Sequence, residues 1–327
     1  MKQFNSILAA ALLATVVACG TAGKKQVKFT SENKNLSGDV FYPKGFDSSK
    51  KYSAILVVGS WTTVKEQMAS TYAQKLADAG YVSLVFDFRN YGKSEGEPRY
   101  YESPKLKVED IKNAVTYLQG LDYVDDQKIG AFAVCAGAGY VLSAAADDTR
   151  IKAVVTAASW LHDGEAVKLF YGGDKGVKAR IAAAKEAKKI YASTGEVKYV
   201  PTISKTDKNA AMYGPYDYYL NPKRGAIKEW SADKFAVMSW EDWLTFNPMP
   251  TAKKLNVPTL MIHSDGAVLP NYTKKYFENI KTADKKLHWI NSGKKPPFEQ
   301  FDFYDKPENV DLSARMAAEW FGSKLGA

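Results

Sequence analysis

Short apolar runs alternate with amphipathic segments over the first half of the chain. Residues 52–60 form an almost continuous apolar run rich in β-branched side chains, which predicts a strand buried on both faces of a parallel sheet. Residues 64–79 then carry apolar side chains at helical spacing and end at Gly80, which is typical of a helix and its stop. The alternation continues with predicted strands over 81–87, 128–134 and 151–158 and predicted helices over 109–118 and 137–146. This order predicts an α/β fold with a doubly wound, mostly parallel sheet.

The alternation stops after the fourth predicted strand. Residues 159–250 contain an alanine-rich helix near 180–192 and a tyrosine-dense stretch at 212–219, without strand periodicity. Because this segment is too long for an ordinary loop, we expect a helical and irregular cap insertion over the active edge of the sheet. The pattern resumes with strands over 257–263 and 286–290 and helices near 272–280 and 310–321. Two core parts, residues 28–158 and 251–327, are therefore expected on either side of the insertion.

The N-terminus has the pattern of an export signal. A lysine precedes an apolar run at residues 7–18 that is too short to span a bilayer, which predicts a signal peptide over residues 1–18. The Val-Val-Ala-Cys sequence that ends at Cys19 resembles a bacterial lipobox, so Cys19 is expected to become a lipidated N-terminus that anchors the chain to the membrane. Residues 19–27 would form a lipidated polar tether. Gly20 in place of aspartate favours the outer membrane in didermal bacteria.

Composition and charge narrow the class of protein. Hydrophobic residues make up 46% and charged residues 25%, which disfavours a disordered chain and a polytopic membrane protein. The net charge is +9, but 45 Lys and Arg are scattered among 36 Asp and Glu without a basic stripe, so no nucleic-acid partner is expected. No zinc-ligand spacing, Walker loop or dinucleotide fingerprint occurs, and we expect no metal or organic cofactor. The sequence carries no signal for oligomeric state.

Cys135 stands out as a chemical candidate. The chain has two cysteines, and lipidation of Cys19 would leave Cys135 without a disulfide partner. Residues 133–137 match the small-x-nucleophile-x-small elbow between a strand and a helix. Burial as an inert small side chain is the alternative. In the nucleophile interpretation, the N–H groups of Ala136 and of Trp61, in the loop after the first core strand, would hold an oxyanion, and the helix N-terminus would favour the thiolate.

Several segments together resemble a known family. They are the stretch 64–67, Phe86-Asp87, the glycine-containing stretch 92–99, the cysteine elbow and the stretch 301–305. With them the chain resembles bacterial α/β-hydrolases related to dienelactone hydrolase over most of residues 28–322. The resemblance implies an α/β-hydrolase fold and cleavage of an ester, thioester or lactone, and it does not name the substrate.

The resemblance also exposes departures in the catalytic triad. In the wider superfamily an acid follows the strand that ends here at His263, which points to Asp265, although the commoner acid position is occupied by Ala267. A histidine is expected after the last strand, where this chain has Gln300. Since a thiol needs less help from a base than a hydroxyl does, a cysteine could tolerate this loss in acylation, but deacylation still requires an activated water.

The general base is predicted by elimination among three histidines. His288 lies within a strand and His263 at a strand end, whereas His162 follows the strand next to the elbow strand, at the edge where open α/β sheets bind ligands. We therefore predict His162 as the base, with Asp163 or Asp265 orienting it. A histidine that only caps a turn at the hinge of the cap is the alternative.

Three further charged residues have two interpretations each. Glu66 either hydrogen-bonds the active site or caps the following helix. Arg89 and Arg99 either orient a carboxylate substrate or form surface ion pairs.

The leading hypothesis is a lipid-anchored cysteine hydrolase of a small ester-type molecule in the cell envelope. The alternative is a catalytically silent envelope binding or accessory protein. A peptidase ranks last, because it needs a stronger base and a leaving-group acid.

Overall fold

The computed structural model describes residues 23–326, so the predicted signal peptide and the lipidation site at Cys19 lie outside the described residues. The strands are β1 (Lys24–Ser31), β2 (Lys34–Phe41), β3 (Tyr52–Val58), β4 (Val82–Phe86), β5 (Val124–Val134), β6 (Ala153–Ala157), β7 (Tyr199–Val200), β8 (Ile203–Ser204), β9 (Met212–Tyr213), β10 (Phe235–Ala236), β11 (Thr259–Ser264) and β12 (Lys285–Ile290). The helices are α1 (Met68–Asp78), α2 (Pro104–Gln119), α3 (Ala136–Asp147), α4 (Ala166–Phe170), α5 (Gly173–Thr194), α6 (Asp217–Leu220), α7 (Ser239–Thr245), a 3₁₀ helix (Met249–Lys253), α8 (Pro270–Asn279), α9 (Asp302–Asp305) and α10 (Pro307–Leu325).

Eight strands form one sheet in the order β1-β2-β4-β3-β5-β6-β11-β12. The pairs from β4 through β12 are parallel, while β1, β2 and β4 pair antiparallel at one edge. Helices α1 and α10 pack on one face, and α2 and α3 pack on the other. The predicted fold class, a doubly wound and mostly parallel sheet, is confirmed.

The antiparallel edge corrects the predicted tether. Residues 24–27 belong to β1, and each pairs with a residue of β2, from Lys24 opposite Phe41 to Val27 opposite Gly38. The sequence did not reveal this hairpin because β1 is mostly exposed and rich in lysine, so it lacks the apolar run that marks the inner strands.

The strand order fixes where a ligand can bind. Strand β3 lies between β4 and β5, so the chain leaves β3 towards one edge of the sheet and returns to its other side. Such a switch point opens a crevice at the carboxyl ends of the strands. The loop after β3 and the turn after β5 meet there, and these are the two segments predicted to supply the oxyanion donors and the nucleophile.

The chain between β6 and β11 contains α4 to α7 and the two small sheets β7–β10 and β8–β9. Several of its aromatic side chains are buried in the same hydrophobic core as the large sheet. Helix α5 packs on α7, and β10 pairs with β7. Across residues 23–326, no helix combines the length and apolar character needed to span a bilayer.

Candidate active site

Cys135 occupies the sharp turn between β5 and α3. Its backbone has φ 56° and ψ −126°, a left-handed conformation that costs energy for a residue other than glycine. The neighbouring Gly137 permits this turn, because a Cβ there would lie 2.2 Å from the carbonyl oxygen of Gly59 at the end of β3. The first turn of α3 therefore contacts the β3 loop directly, which is the local geometry of a nucleophile elbow.

Four donors surround the sulfur of Cys135. They are the backbone N–H groups of Ala136 and Trp61 and the hydroxyl groups of Ser60 and Tyr304, and each acts to lower the pKa of the thiol. The structure thus brings both predicted oxyanion donors to the predicted nucleophile. An oxyanion that forms at this sulfur would lie within reach of the same N–H groups.

The hydroxyl groups extend into a buried network. The Tyr219 hydroxyl donates to Ser60 Oγ at 3.2 Å, and Ser60 Oγ lies 3.1 Å from the Tyr304 hydroxyl. Burial raises the pKa of Tyr219 and of Tyr304 well above 10, so both remain neutral donors. The sequence did not identify these residues, because Tyr219 and Tyr304 lie far from Cys135 in the chain.

Gln300 occupies the network at the place where a histidine was expected from the resemblance. Its Nε2 donates to the Ala158 carbonyl at 2.8 Å and reaches the Tyr304 hydroxyl at 3.4 Å, while its Oε1 accepts the Val268 N–H at 2.9 Å. Both ends of the amide are therefore held. A neutral amide cannot take up the thiol proton, so Gln300 positions Tyr304 and supplies no base.

Burial raises the pKa of the Cys135 thiol above its ordinary value of 9, although the four donors act to lower it. The Ala136 N–H at the start of α3 acts towards the thiolate, as expected, but burial outweighs it. The reason is that Cys135 is buried, and loss of hydration penalises the charged form more than the donors stabilise it.

The ring of His162 is not free to accept the proton of the Cys135 thiol. Its Nδ1 accepts the indole N–H of Trp160 at 2.8 Å, and its Nε2 lies 3.1 Å from the carbonyl oxygen of Trp243, to which it donates. Burial lowers the pKa of His162 to about 4. Since both ring nitrogens are occupied, the geometry does not support His162 as the base and makes it part of the packing beside the cavity.

The two predicted acids, Asp265 and Asp163, bind backbone N–H groups and do not contact a catalytic histidine. Asp265 accepts the N–H groups of Ser292 at 2.8 Å and Gly293 at 3.2 Å, and these bonds lower the pKa of its carboxyl. It fixes the loop after β12. Asp163 accepts the N–H groups of Glu165 and Ala166, both at 3.0 Å, and so caps the start of α4. Neither carboxylate orients a histidine towards Cys135.

The remaining histidines fill structural positions. His263 is buried, with Nδ1 at 2.8 Å from the Ser264 carbonyl oxygen and Nε2 at 3.3 Å from that of Ser159, and its ring stacks on Trp289. His288 lies on the edge strand β12. All three histidines of the chain are therefore accounted for away from the thiol.

Glu66 and the two flagged arginines form ion pairs or backbone contacts. Glu66 pairs with the buried Lys65 at 2.6 Å and does not line the cavity over Cys135. Arg89 Nε donates to Asp110 at 2.7 Å, and Arg99 binds backbone carbonyl oxygens in the stretch 92–99. These contacts indicate that the three residues stabilise the fold and do not bind substrate.

A buried ion pair supports the oxyanion loop. Glu102 Oε2 lies 2.7 Å from Lys107 Nζ and also accepts the N–H of Thr62 at 3.2 Å, directly after Trp61. Tyr91 and Tyr140 donate their hydroxyl groups to the same carboxylate at 3.0 and 2.7 Å. The backbone of Thr62 has φ 59°, so the loop is held in an unfavourable conformation by these bonds.

Cys135 opens onto a cavity of about 300 Å³. Ten aromatic side chains line it: Trp61, Trp160, Phe170, Tyr171, Tyr213, Tyr216, Tyr219, Trp243, Phe301 and Tyr304. Arg180 and Lys208 are the cations of the wall, and within residues 23–326 the wall contains no histidine and no carboxylate. The same described residues bring no three His, Cys, Asp or Glu side chains together as a metal site.

The comparisons with known proteins agree with this fold. The profile of the X-Pro dipeptidyl-peptidase family (S15 family) matches residues 33–293. The uncharacterized protein YcjY of Escherichia coli (strain K12) is 30% identical over 313 residues, which cover 92% of this chain and 99% of that protein.

Two solved structures have the same architecture. The hypothetical protein PA2218 of Pseudomonas aeruginosa superposes with a TM-score of 0.80 at 23% identity, covering 98% of this chain and 100% of that chain. A dienelactone hydrolase from Anabaena variabilis superposes with a TM-score of 0.54 at 15% identity, covering 93% and 99%. The α/β-hydrolase fold implied by the sequence resemblance is confirmed.

Proposed function

The chain belongs to the X-Pro dipeptidyl-peptidase (S15) family, and on this premise we propose that it hydrolyses an ester, thioester or lactone through Cys135. The observation that carries the proposal is the strained turn that holds Cys135 at the start of α3, against the loop after β3 and at the wall of an aromatic cavity. A buried inert cysteine would need neither the left-handed turn nor the converging donors.

In the proposed reaction, the Cys135 sulfur forms a bond to the carbonyl carbon, and the N–H groups of Ala136 and Trp61 hold the oxyanion. The bond to the leaving group then breaks, and that group departs as the anion and takes up the proton that the thiol gave up when it ionised, with the Ser60 and Tyr304 hydroxyl groups in reach to relay it. Water subsequently cleaves the acyl–sulfur bond, which releases a carboxylic acid and restores the thiol. Oxygen and proton counts balance without a redox partner.

The wall of the cavity favours good leaving groups. A thiolate or an activated alkoxide leaves without strong protonation, whereas the amine of a peptide needs a general acid. Neither a histidine nor a carboxylate lines the cavity in the described part of the chain, and the tyrosines are held neutral by burial. We therefore place thioesters and activated esters ahead of peptides, even though the family is named for a peptidase.

The same lack of a base makes deacylation slow in this proposal. Acylation consumes a nucleophile that is already present, but hydrolysis of the acyl–enzyme needs an activated water. The second candidate function, a silent binding protein, is favoured by one observation, the amide of Gln300 at the expected position of the histidine. The two candidates differ in whether the thiol is acylated at all.

Rapid-mixing kinetics separate the candidates. The full chain, purified in detergent, is mixed with phenyl thioacetate, with p-nitrophenyl acetate and with the dipeptide amide Gly-Pro-p-nitroanilide. We expect a burst of one thiophenol per Cys135, followed by slower release, and no burst with Cys135→Ala. Equal release by the Cys135→Ala variant would contradict the proposal, and rapid cleavage of the anilide would support a peptidase instead.

We also propose that the chain is exported and anchored through lipidated Cys19, on the sequence pattern of residues 1–19 alone. Growth of expressing bacteria with an alkyne-tagged palmitate tests this proposal. Label should appear on the wild type and on Cys135→Ala, and it should disappear with Cys19→Ala. Label that persists in the Cys19→Ala variant would contradict the anchor.

A further inference from the structure

Arg180 lies on α5 and lines the cavity onto which Cys135 opens. Its Nη1 donates to the carbonyl oxygens of Tyr171 at 3.0 Å and Gly176 at 3.3 Å. The guanidinium also stands over the rings of Tyr171 and Trp240, with its central carbon 5.7 and 5.4 Å from the ring centroids. Two carbonyl groups and two aromatic faces therefore fix its orientation.

The glycine-containing turn before α5 allows the contact between Arg180 and the Tyr171 carbonyl oxygen. Gly172 and Gly173 both have positive φ values, of 81° and 65°. A Cβ on Gly176 would lie 2.0 Å from the Tyr171 carbonyl oxygen, so only glycine lets that carbonyl approach the helix. The Tyr171 carbonyl can then accept the Nη1 proton of Arg180, which restrains the guanidinium before any ligand binds.

One edge of the guanidinium remains available. Within residues 23–326, neither Nε nor Nη2 of Arg180 has a hydrogen-bond acceptor, and no carboxylate lies within 4 Å of the group. The Nε and Nη2 edge of a guanidinium can bind a carboxylate with two parallel hydrogen bonds. Lys208 adds a second cation to the wall without an ion pair to a described acid.

Charge and shape together define a class of ligand. The cavity offers aromatic faces and two cations but no described acid, so a neutral apolar ligand would leave the cations unused. We propose that the substrate is an ester or thioester whose acyl chain has an apolar or aromatic body and ends in a carboxylate that Arg180 binds. This inference rests on the proposed function for the position of the reacting carbonyl, whereas the carboxylate site itself can be tested without turnover.

Binding of a product-like probe tests the site directly. The tryptophans of the wall report binding of 4-phenylbutyrate and of its neutral isostere 4-phenylbutyramide by fluorescence. The carboxylate should bind about 10- to 100-fold more tightly than the amide, as expected for a hydrogen bond between charged groups. Arg180→Gln should reduce this ratio to near one, and Arg180→Lys, which keeps the charge but not the two parallel bonds, should give an intermediate ratio.

The matched control is Lys178→Gln, which removes the same charge from an exposed position of α5. It should keep the wild-type ratio, which excludes a general effect of net charge, and thermal melting confirms that each variant is folded. Equal binding of acid and amide by the wild type would overturn the proposal. So would a ratio that Arg180→Gln leaves unchanged.

Acylation then distinguishes this inference from the proposed function. The phenyl thioesters of glutaric acid and of its monoamide are compared by the rate of thiophenol release. A preference for the carboxylate that Arg180→Gln abolishes supports both proposals. Release from both thioesters at equal rates refutes the anionic substrate and keeps the hydrolase. No release from either thioester, with 4-phenylbutyrate still bound through Arg180, refutes the hydrolase and keeps the carboxylate site.

Discussion

Replacing Lys107 by methionine is expected to destabilise the protein more than the loss of any surface ion pair would. The ammonium group of Lys107 is buried, lies 2.7 Å from Glu102, and stands 4.8, 4.7 and 5.3 Å from the ring centroids of Phe88, Tyr91 and Tyr140. Methionine fills a similar volume but leaves the carboxylate of Glu102 buried without its cation.

The magnitude follows from the contacts that remain. Without Lys107, the carboxylate of Glu102 keeps three donors, the Thr62 N–H and the hydroxyl groups of Tyr91 and Tyr140. Removal of one partner of a buried pair costs about 3–5 kcal/mol in the free energy of unfolding. The double variant Glu102→Gln with Lys107→Met carries no buried charge, and we expect it to recover at least about 2 kcal/mol of that loss.

Urea unfolding followed by tryptophan fluorescence measures both variants. The control is Lys75→Met, which breaks the exposed pair of Lys75 with Asp311 and should cost less than about 1 kcal/mol. A Lys107→Met variant within about 1 kcal/mol of the wild type would show that the unpaired carboxylate of Glu102 carries no such penalty. A double variant no more stable than Lys107→Met would contradict the expectation as well, because the penalty would then not come from the unpaired charge.

Three further outcomes are expected. The rate of Cys135 acylation should rise about tenfold per pH unit up to pH 9, because burial raises the thiol pKa above 9 and keeps thiolate scarce; a plateau below pH 8 would contradict this. Burial lowers the pKa of His162 from 6.5 in the unfolded chain to about 4 in the folded protein, so the contribution of the neutral ring to the free energy of unfolding is fully present above pH 6.5. It should fall by up to about 3 kcal/mol as the pH approaches 4, and denaturant titrations of His162→Gln should lack that slope. Gly137→Ala should cost at least about 1–3 kcal/mol by thermal unfolding, because its Cβ meets the Gly59 carbonyl oxygen, whereas Gly164→Ala, in open space, should be neutral.

The fold was predictable where burial is uniform along an element. Strands β3 to β6 and β11 are buried over most or all of their length, and their continuous apolar runs appear in the sequence. The hairpin β1–β2 was missed because β1 alternates exposed lysines with few buried positions. The two-residue strands between β6 and β11 are too short to show a period, and tertiary contacts set them.

The site divides in the same way. The elbow at Cys135 was predictable because its requirements are local, a small residue on each side of a strand end. The roles of Tyr304, Glu102 and Arg180 were not, since each reaches the site from an element remote from Cys135 in the chain. His162 was chosen by elimination, and its two ring contacts, to Trp160 and to the carbonyl of Trp243, depend on packing that the sequence does not display.

Intact mass spectrometry of the full chain with phenyl thioacetate tests whether Cys135 is a nucleophile. The wild type should gain one acetyl group within the burst and lose it slowly, because no base in the described cavity wall activates water. The Cys135→Ala variant retains Cys19 and should gain none. An unmodified wild type, or an equal adduct on Cys135→Ala, would contradict the account and leave a binding protein on a hydrolase fold.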